Sequence, residues 1–210
     1  MSSAKTRQVP LLVVISAPSG GGKTTLCQHL LECHSDMTRA ITCTTRKPRP
    51  GERDGVDYYF LTPAVFQERV KAGEFLEHAQ VYGNSYGTLK SEVLDKLRKG
   101  KDVLLNIDVQ GASSVRDAAA GVLELESALV TVFLTPSTKE ELEGRLKKRG
   151  TENESSLTTR LGIARQELAR WKEFQYLLIS GTMQEDLRRM EVILEAERLR
   201  VSRSPAPAWI

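Results

Sequence analysis

A chain of 210 residues with 40% hydrophobic and 27% charged residues suits one globular domain of moderate size with a substantial core. Its formal net charge of +3 is too small to argue for a nucleic-acid partner by its sum alone. Three cysteines, Cys27, Cys33 and Cys43, form an odd set without metal-ligand spacing and read as small apolar side chains in a reducing cytoplasm.

Met1 to Pro10 is polar, without the apolar centre of a signal sequence, and no run approaches membrane-spanning length. A cytoplasmic protein with no membrane partner is the expectation. Leu11-Leu12-Val13-Val14-Ile15 is an apolar run of strand length, followed by the glycine-rich Ser16 to Gly22 and by Lys23-Thr24-Thr25, which opens a helix with Leu26, Leu30 and Leu31 on one side. Strand, glycine-rich loop, Gly-Lys-Thr and helix follow in the order of a P-loop. Glycines let the backbone curl so that successive N–H groups point at phosphate oxygens, and the helix N-terminus adds partial positive charge. Ala17, Pro18, Ser19, Gly20, Gly21, Gly22, Lys23, Thr24 and Thr25 are therefore candidate ligands of a nucleoside triphosphate. Lys23 would reach the outer phosphates and the Thr24 hydroxyl would ligate Mg²⁺. One residue departs from G-x-x-x-x-G-K-[ST]: Ala17 stands where the first glycine is expected.

Further along, Arg39 to Thr44 reads as a short strand entering a proline- and arginine-rich segment. Thr62-Pro63 supplies an N-cap and a first-turn proline, Phe66 and Val70 lie four apart, and Gly73 is a stop. Glu74 to Tyr82 reads as extended, and Lys90 to Lys99 as a helix with Val93, Leu94 and Leu97 on one face. Asp102 to Asp108, with Val103-Leu104-Leu105, reads as a central parallel strand, and Leu129 to Leu134 as another. Thr138 to Glu141 and Thr182 to Glu185 both fit a capping box. The last helix turns Leu187, Met190, Ile193 and Leu194 inward, and Ser202 to Ile210, with Pro205 and Pro207, is expected to be loose. The alternation predicts an α/β fold: a P-loop-type parallel sheet with helices on both faces, with 41–89 and 139–165 as insertions.

Two basic segments carry the discriminating chemistry. In Arg46-Lys47-Pro48-Arg49-Pro50-Gly51-Glu52 a proline-stiffened chain holds two planar guanidinium forks suited to phosphate oxygens, with tyrosine hydroxyls nearby; a solvated basic loop is the alternative. Arg145-Leu146-Lys147-Lys148-Arg149, with Arg160 beyond, is the densest basic patch. It reads either as a helix face balanced by Glu140, Glu141 and Glu143 or as an anion-binding segment; without aromatic interleaving or a binding motif, nucleic acid is not expected. Asp108 follows an apolar strand as a Walker-B-like carboxylate would, helping to place Mg²⁺ directly or through water. Asp108 to Gly111 also matches the D-x-x-G of a GTPase switch, but the N-K-x-D guanine reader is absent.

From about Pro10 to Leu199 the chain resembles the guanylate kinase family, enzymes that phosphorylate GMP with ATP. The resemblance is carried by the loop Ser16 to Thr25, by Thr44-Thr45-Arg46-Lys47-Pro48-Arg49-Pro50-Gly51-Glu52 and by Asp57-Tyr58-Tyr59-Phe60. It continues through Glu74-Phe75-Leu76-Glu77, Tyr86-Gly87-Thr88, Ile107-Asp108-Val109-Gln110-Gly111, and Arg145 to Arg149 with Gly150-Thr151-Glu152 and Arg160-Leu161. It implies a guanylate kinase-like domain over 10–199, with a GMP-binding region at 41–89, a lid at 139–165, and tails at 1–9 and 200–210. Arg46, Arg49, Tyr58 and Tyr86 would hold the GMP phosphate and Glu52 would orient an arginine of that set. Glu77 would accept from guanine N1–H and the 2-amino group, and the Thr42 hydroxyl would meet O6. Gly87, Thr88 and Asp108 complete the GMP set, while Arg145, Arg149 and Arg160 act on the ATP phosphates beside Lys23. The implied activity is transfer of the γ-phosphoryl of ATP to GMP, giving ADP and GDP, with Mg²⁺ as cofactor, in purine nucleotide metabolism and GMP recycling. The chain departs from the family pattern at Asn106, where an aspartate is usual, and over Ser180-Gly181-Thr182, where relatives have Asn-Asp-Asp. A peptide-binding scaffold lacking catalysis and a phosphotransferase with another acceptor are the competing readings; the pattern carries no signal for oligomeric state.

Overall fold

The structure, a computed structural model, describes residues 9–81, 83–148 and 154–204. The elements follow as β1 (Leu12–Ser16), α1 (Lys23–Cys33), β2 (Met37–Arg39), β3 (Cys43–Thr44), β4 (Tyr59–Phe60), α2 (Pro63–Lys71), β5 (Phe75–Val81) and β6 (Asn84–Leu89). Then come α3 (Lys90–Arg98), β7 (Asp102–Asn106), α4 (Val109–Ala119), α5 (Leu123–Ala128), β8 (Leu129–Thr135), α6 (Lys139–Lys148), α7 (Glu154–Leu168), β9 (Tyr176–Ile179) and α8 (Met183–Arg198).

Five strands form a parallel sheet in the order β2-β7-β1-β8-β9. The continuous apolar run of β1 has a direct cause: the strand is covered on both faces, so neither alternate set can be polar. Leu11, Val13 and Ile15 pack with Leu26 and Leu30 of α1 and Met190 and Leu194 of α8. Leu12 and Val14 pack the other way, with Val93 and Leu97 of α3, Ala112 and Val115 of α4 and Leu125 of α5. The chain leaves β1 toward β2 and β7 and later returns across it to β8 and β9. The strand order therefore reverses beside β1, and a crevice opens at the carboxyl ends of the strands there.

Residues of the 41–89 segment build a second sheet, β4-β3-β6-β5, closed by α2. Phe66, Phe75, Cys43 and Leu89 form its core, with the Phe66 and Phe75 rings stacked at 4.5 Å. The β5–β6 register shifts between Phe75 and Glu77, a bulge that leaves Phe75, Leu76 and Glu77 all buried where a regular strand would alternate. Leu76 consequently joins the main-sheet core and ties the two sheets together. Helices α6 and α7, which carry the 139–165 segment on to Leu168, share a small core of Leu142, Leu146, Ala164, Leu161 and Leu168.

Most predicted boundaries hold. The Thr62 side chain accepts from the Val65 N–H with Pro63 at the first helical position, and Thr182 with Glu185 forms a complete capping box. At Thr138 only half the box forms: the Glu141 N–H donates to Thr138 Oγ1, while the Glu141 carboxylate turns back to Ser137 instead. The strand expected over 39–44 splits into β2 and β3, which belong to different sheets.

The C-terminal segment expected to be loose from Ser202 is anchored as far as Ser204. Arg203, 5% exposed, donates to the carbonyls of Ser127 (2.7 Å) and Leu129 (3.1 Å) and pairs with Glu197, which also accepts from the Tyr176 hydroxyl. Residues 205–210 lie outside the described residues. Arg203→Ala would leave the buried Glu197 with the exposed Arg200 side chain, at 3.3 Å, as its remaining cationic partner, and the Ser127 and Leu129 carbonyls without this donor, so it should destabilise the fold by about 3–5 kcal/mol. Thermal denaturation reads this, and an unchanged midpoint would refute the clamp.

Candidate active site

The loop between β1 and α1 turns on its glycines. Gly22, at φ +95°, occupies the N-cap of α1 in the left-handed region, and no side chain caps the helix. The first amides of α1 are thus left for a ligand. The Gly21 N–H donates to the Pro18 carbonyl at 2.8 Å and tightens the turn. Ala17 is accommodated because Gly21 lacks a side chain: a Cβ there would lie 2.9 Å from the Ala17 methyl. A cavity of about 270 Å³ sits over this ribbon, lined by residues 17–24 and by Glu167 of α7.

Lys23 donates from Nζ to the Ile107 carbonyl at 2.8 Å. Burial pushes its ammonium below the ordinary lysine range, while the charges of Asp108 and Glu167 pull it back up. Thr24 and Thr25 are exposed in the first turn of α1. Asp108, just beyond β7, caps α4 by accepting the Gly111 N–H at 2.8 Å. The D-x-x-G spacing is that of a helix N-cap.

A second cavity, of about 510 Å³, is lined by Thr24, Arg39, Thr42, Tyr58, Thr88 and Asn106 among others. Thr24 borders both cavities. Glu77 is 9% exposed and accepts from Thr88 Oγ1 at 2.7 Å, the bulge having turned it inward opposite Thr88. Burial raises the Glu77 carboxyl above the ordinary glutamate range, the Thr88 donor pulls it down in part, and Asp108 adds to the rise. Gly87 sits beside them, opposite His78.

Arg46 grips both oxygens of Glu52, at 2.8 and 3.0 Å, and Glu52 also accepts the Arg49 N–H at 2.7 Å. The Arg46 guanidinium lies 5.3 Å from the Tyr58 ring centroid, and Tyr58 meets Tyr86 edge-on at 6.3 Å. One guanidinium nitrogen shared between both Glu52 oxygens, the other donating to the Lys47 carbonyl at 2.8 Å, and a ring beneath fix the orientation of a fork that would otherwise swing. Arg49 is exposed at the loop.

On the other side of the crevice, Arg145 of α6 donates to the Gly21 carbonyl (3.2 Å) and to Ser180 Oγ (3.1 Å) while paired with Glu141. It is therefore held over the loop rather than spread on a solvated helix face. Arg160 lies on α7, and Arg149 lies outside the described residues. Two residues enter the site that the sequence reading did not include. Ser180, anchored by its hydroxyl to Asp186 at 2.8 Å, reaches the crevice because it directly follows strand β9; that position was the available signal. Glu167 accepts the Ser19 N–H at 3.1 Å across 148 positions of sequence, which no local pattern announces.

A family model described as guanylate kinase matches residues 10–197. The chain belongs to the guanylate kinase family. It is 45% identical to the guanylate kinase of Clostridium perfringens (strain 13 / Type A) over 193 residues, 92% of this chain and 86% of that protein. With the guanylate kinase of Clostridioides difficile (strain 630) it shares 39% over 194 residues, 92% of this chain and 91% of that protein. A crystal structure of guanylate kinase from Anaplasma phagocytophilum superposes with a TM-score of 0.70 at 28% identity, covering 96% of this chain and 93% of that one. The α/β fold is thus that of the guanylate kinase family, and the chain is an enzyme of kinase type rather than a scaffold. No helix among the described residues is long and apolar enough to cross a membrane.

The buried Glu77 carboxyl has a measurable signature. Its raised value means that ionisation costs folding stability, and that cost is fully present above the raised value and absent below the ordinary glutamate range. Glu77→Gln should therefore raise the thermal midpoint at pH 7, and the gain should shrink as pH falls through that range. A midpoint difference independent of pH would show that the carboxyl is not strained in the fold.

Proposed function

We propose that the enzyme transfers the γ-phosphoryl group of ATP to a phosphate oxygen of GMP, releasing ADP and GDP, and that it serves purine nucleotide metabolism and GMP recycling in the cytoplasm. The observation that carries this reading is the meeting of two cavities at Thr24: an amide-lined anion cradle, and a pocket whose Thr88 wall holds a buried carboxylate.

In this reading residues 17–25 hold the triphosphate, with Lys23 on its outer phosphates. Arg46, held by Glu52, joins Arg49, Tyr58 and Tyr86 around the GMP phosphate. Glu77 accepts from guanine N1–H and the 2-amino group, the Thr42 hydroxyl donates to O6, and Gly87, Thr88 and Asp108 complete the pocket. Adenine offers neither that donor pair nor the keto oxygen, and each unmet buried group costs about 1–3 kcal/mol, more for a charge. The domain then spans 10–199, with 41–89 as the GMP-binding region and 139–165 as a lid whose Arg145, Arg149 and Arg160 act on the ATP phosphates.

The attacking GMP oxygen is already anionic, so no general base is required. It forms a bond to the γ-phosphorus in line with the β–γ bridge, which breaks, leaving its electron pair on ADP. The chain's task is to bring two polyanions together and neutralise the group in transit, which Lys23 and the arginines do. The Thr24 hydroxyl and the Asp108 oxygen not used by the Gly111 N–H fit Mg²⁺ as hard oxygen donors, directly or through water. Bound there, Mg²⁺ supplies positive charge to the phosphate oxygens.

ADP release from ATP and Mg²⁺ should be supported by GMP and at least about a hundredfold less by AMP, CMP, UMP or ribose phosphates, the factor of a single unmet charged group. Comparable rates with AMP would end the base-reading argument, and Glu77→Gln should erode the preference for GMP. Lys23→Ala should abolish turnover while GMP still binds calorimetrically; normal turnover in that variant would contradict its role.

A further inference from the structure

Among the described residues that line the cradle, one comes from outside the continuous stretch 17–24: Glu167, in the last turn of α7. Its Oε2 accepts the Ser19 N–H, and its charge faces Lys23. A carboxylate oxygen and a phosphate oxygen ask the same thing of an amide and an ammonium, and curled loop amides at a helix N-terminus form an anion site. We propose that Glu167 is a displaceable counter-ion of the triphosphate site: its carboxylate occupies the Ser19 amide and faces Lys23 until phosphate oxygens take both. This rests on the reading of the loop as the ATP site and adds to it a competitor built into the chain.

Two consequences follow from where Glu167 stands. A triphosphate must break the Ser19 contact and then bear the repulsion of a carboxylate still tethered nearby, so the acid weakens nucleotide binding. The same exchange connects α7 to occupancy of the loop. Arg160 lies two turns before Glu167 on nearly the same helical face, about 10 Å away along the axis. Loss of the Glu167 contact frees α7 from the loop while the core of Leu142, Leu146, Ala164 and Leu168 still holds the helix against α6. The acid that holds the Ser19 amide and the base suited to phosphate oxygens thus share one helix.

Calorimetric titration of the full chain with ATP, with inorganic tripolyphosphate and with GMP, in wild type, Glu167→Gln and Glu167→Ala, tests this. Both variants should bind ATP and tripolyphosphate at least about fourfold more tightly, the factor for unit charges roughly 5 Å apart at water's dielectric constant. GMP affinity should not move, and KM for ATP should fall by the same factor while KM for GMP stays constant. A merely structural prop would make Glu167→Ala bind more weakly, and that result, or unchanged affinity in both variants, overturns the proposal. Wild-type protein that binds neither ATP nor tripolyphosphate would instead remove the underlying reading, and this one falls with it. Wild-type turnover with no gain in the variants removes this one alone.

Discussion

At the end of β1 the chain passes from strand to helix with no side chain capping α1, and the amides left open are the constraint around which the rest is arranged. Such groups cannot be buried unpaired, so they must face a cavity, a ligand or a surrogate. Here they face a cavity, and one of them, the Ser19 amide, is met by a carboxylate from a distant helix. The sheet order places that cavity at its reversal point, where neighbouring connections diverge and leave room. Lys23, Asp108, Arg145 and Glu167 come from four elements and converge there.

The second sheet solves a different problem. It withdraws the Glu77 carboxylate from water, although an isolated buried charge is unfavourable. The bulge in β5 supplies the inward turn, Leu76 anchors the bulged strand in the main core, and Thr88 contributes one hydroxyl donor to Glu77. Burial raises its protonation range all the same, with Thr88 pulling it back only in part. Stability is given up at the position where a ligand would return it.

The arginines show the same logic with opposite sign. Arg46 is pre-oriented by Glu52 and by the Tyr58 ring, so it can present its fork with little loss of side-chain freedom. Arg145 is held between Glu141, Ser180 and the Gly21 carbonyl, already above the loop. Helix α6 approaches that closely because Leu146 packs over Gly20.

The chain read alone revealed the alternation of strands and helices, the loop from Ser16 to Thr25, the Thr62 and Thr182 caps and the family itself. These are encoded within a few residues, by apolar period, glycine placement and hydroxyl-to-amide reach. Thr42, Arg46, Tyr58 and Glu77 were nameable because their spacing matches a known family, not because any local rule makes them converge. Folding was needed to split 39–44 between two sheets, to bury Arg203 against Glu197, and to bring Glu167 and Ser180 to the loop. Each of these depends on contacts between segments far apart in the chain, where strand order and helix packing, rather than neighbouring residues, set which groups meet.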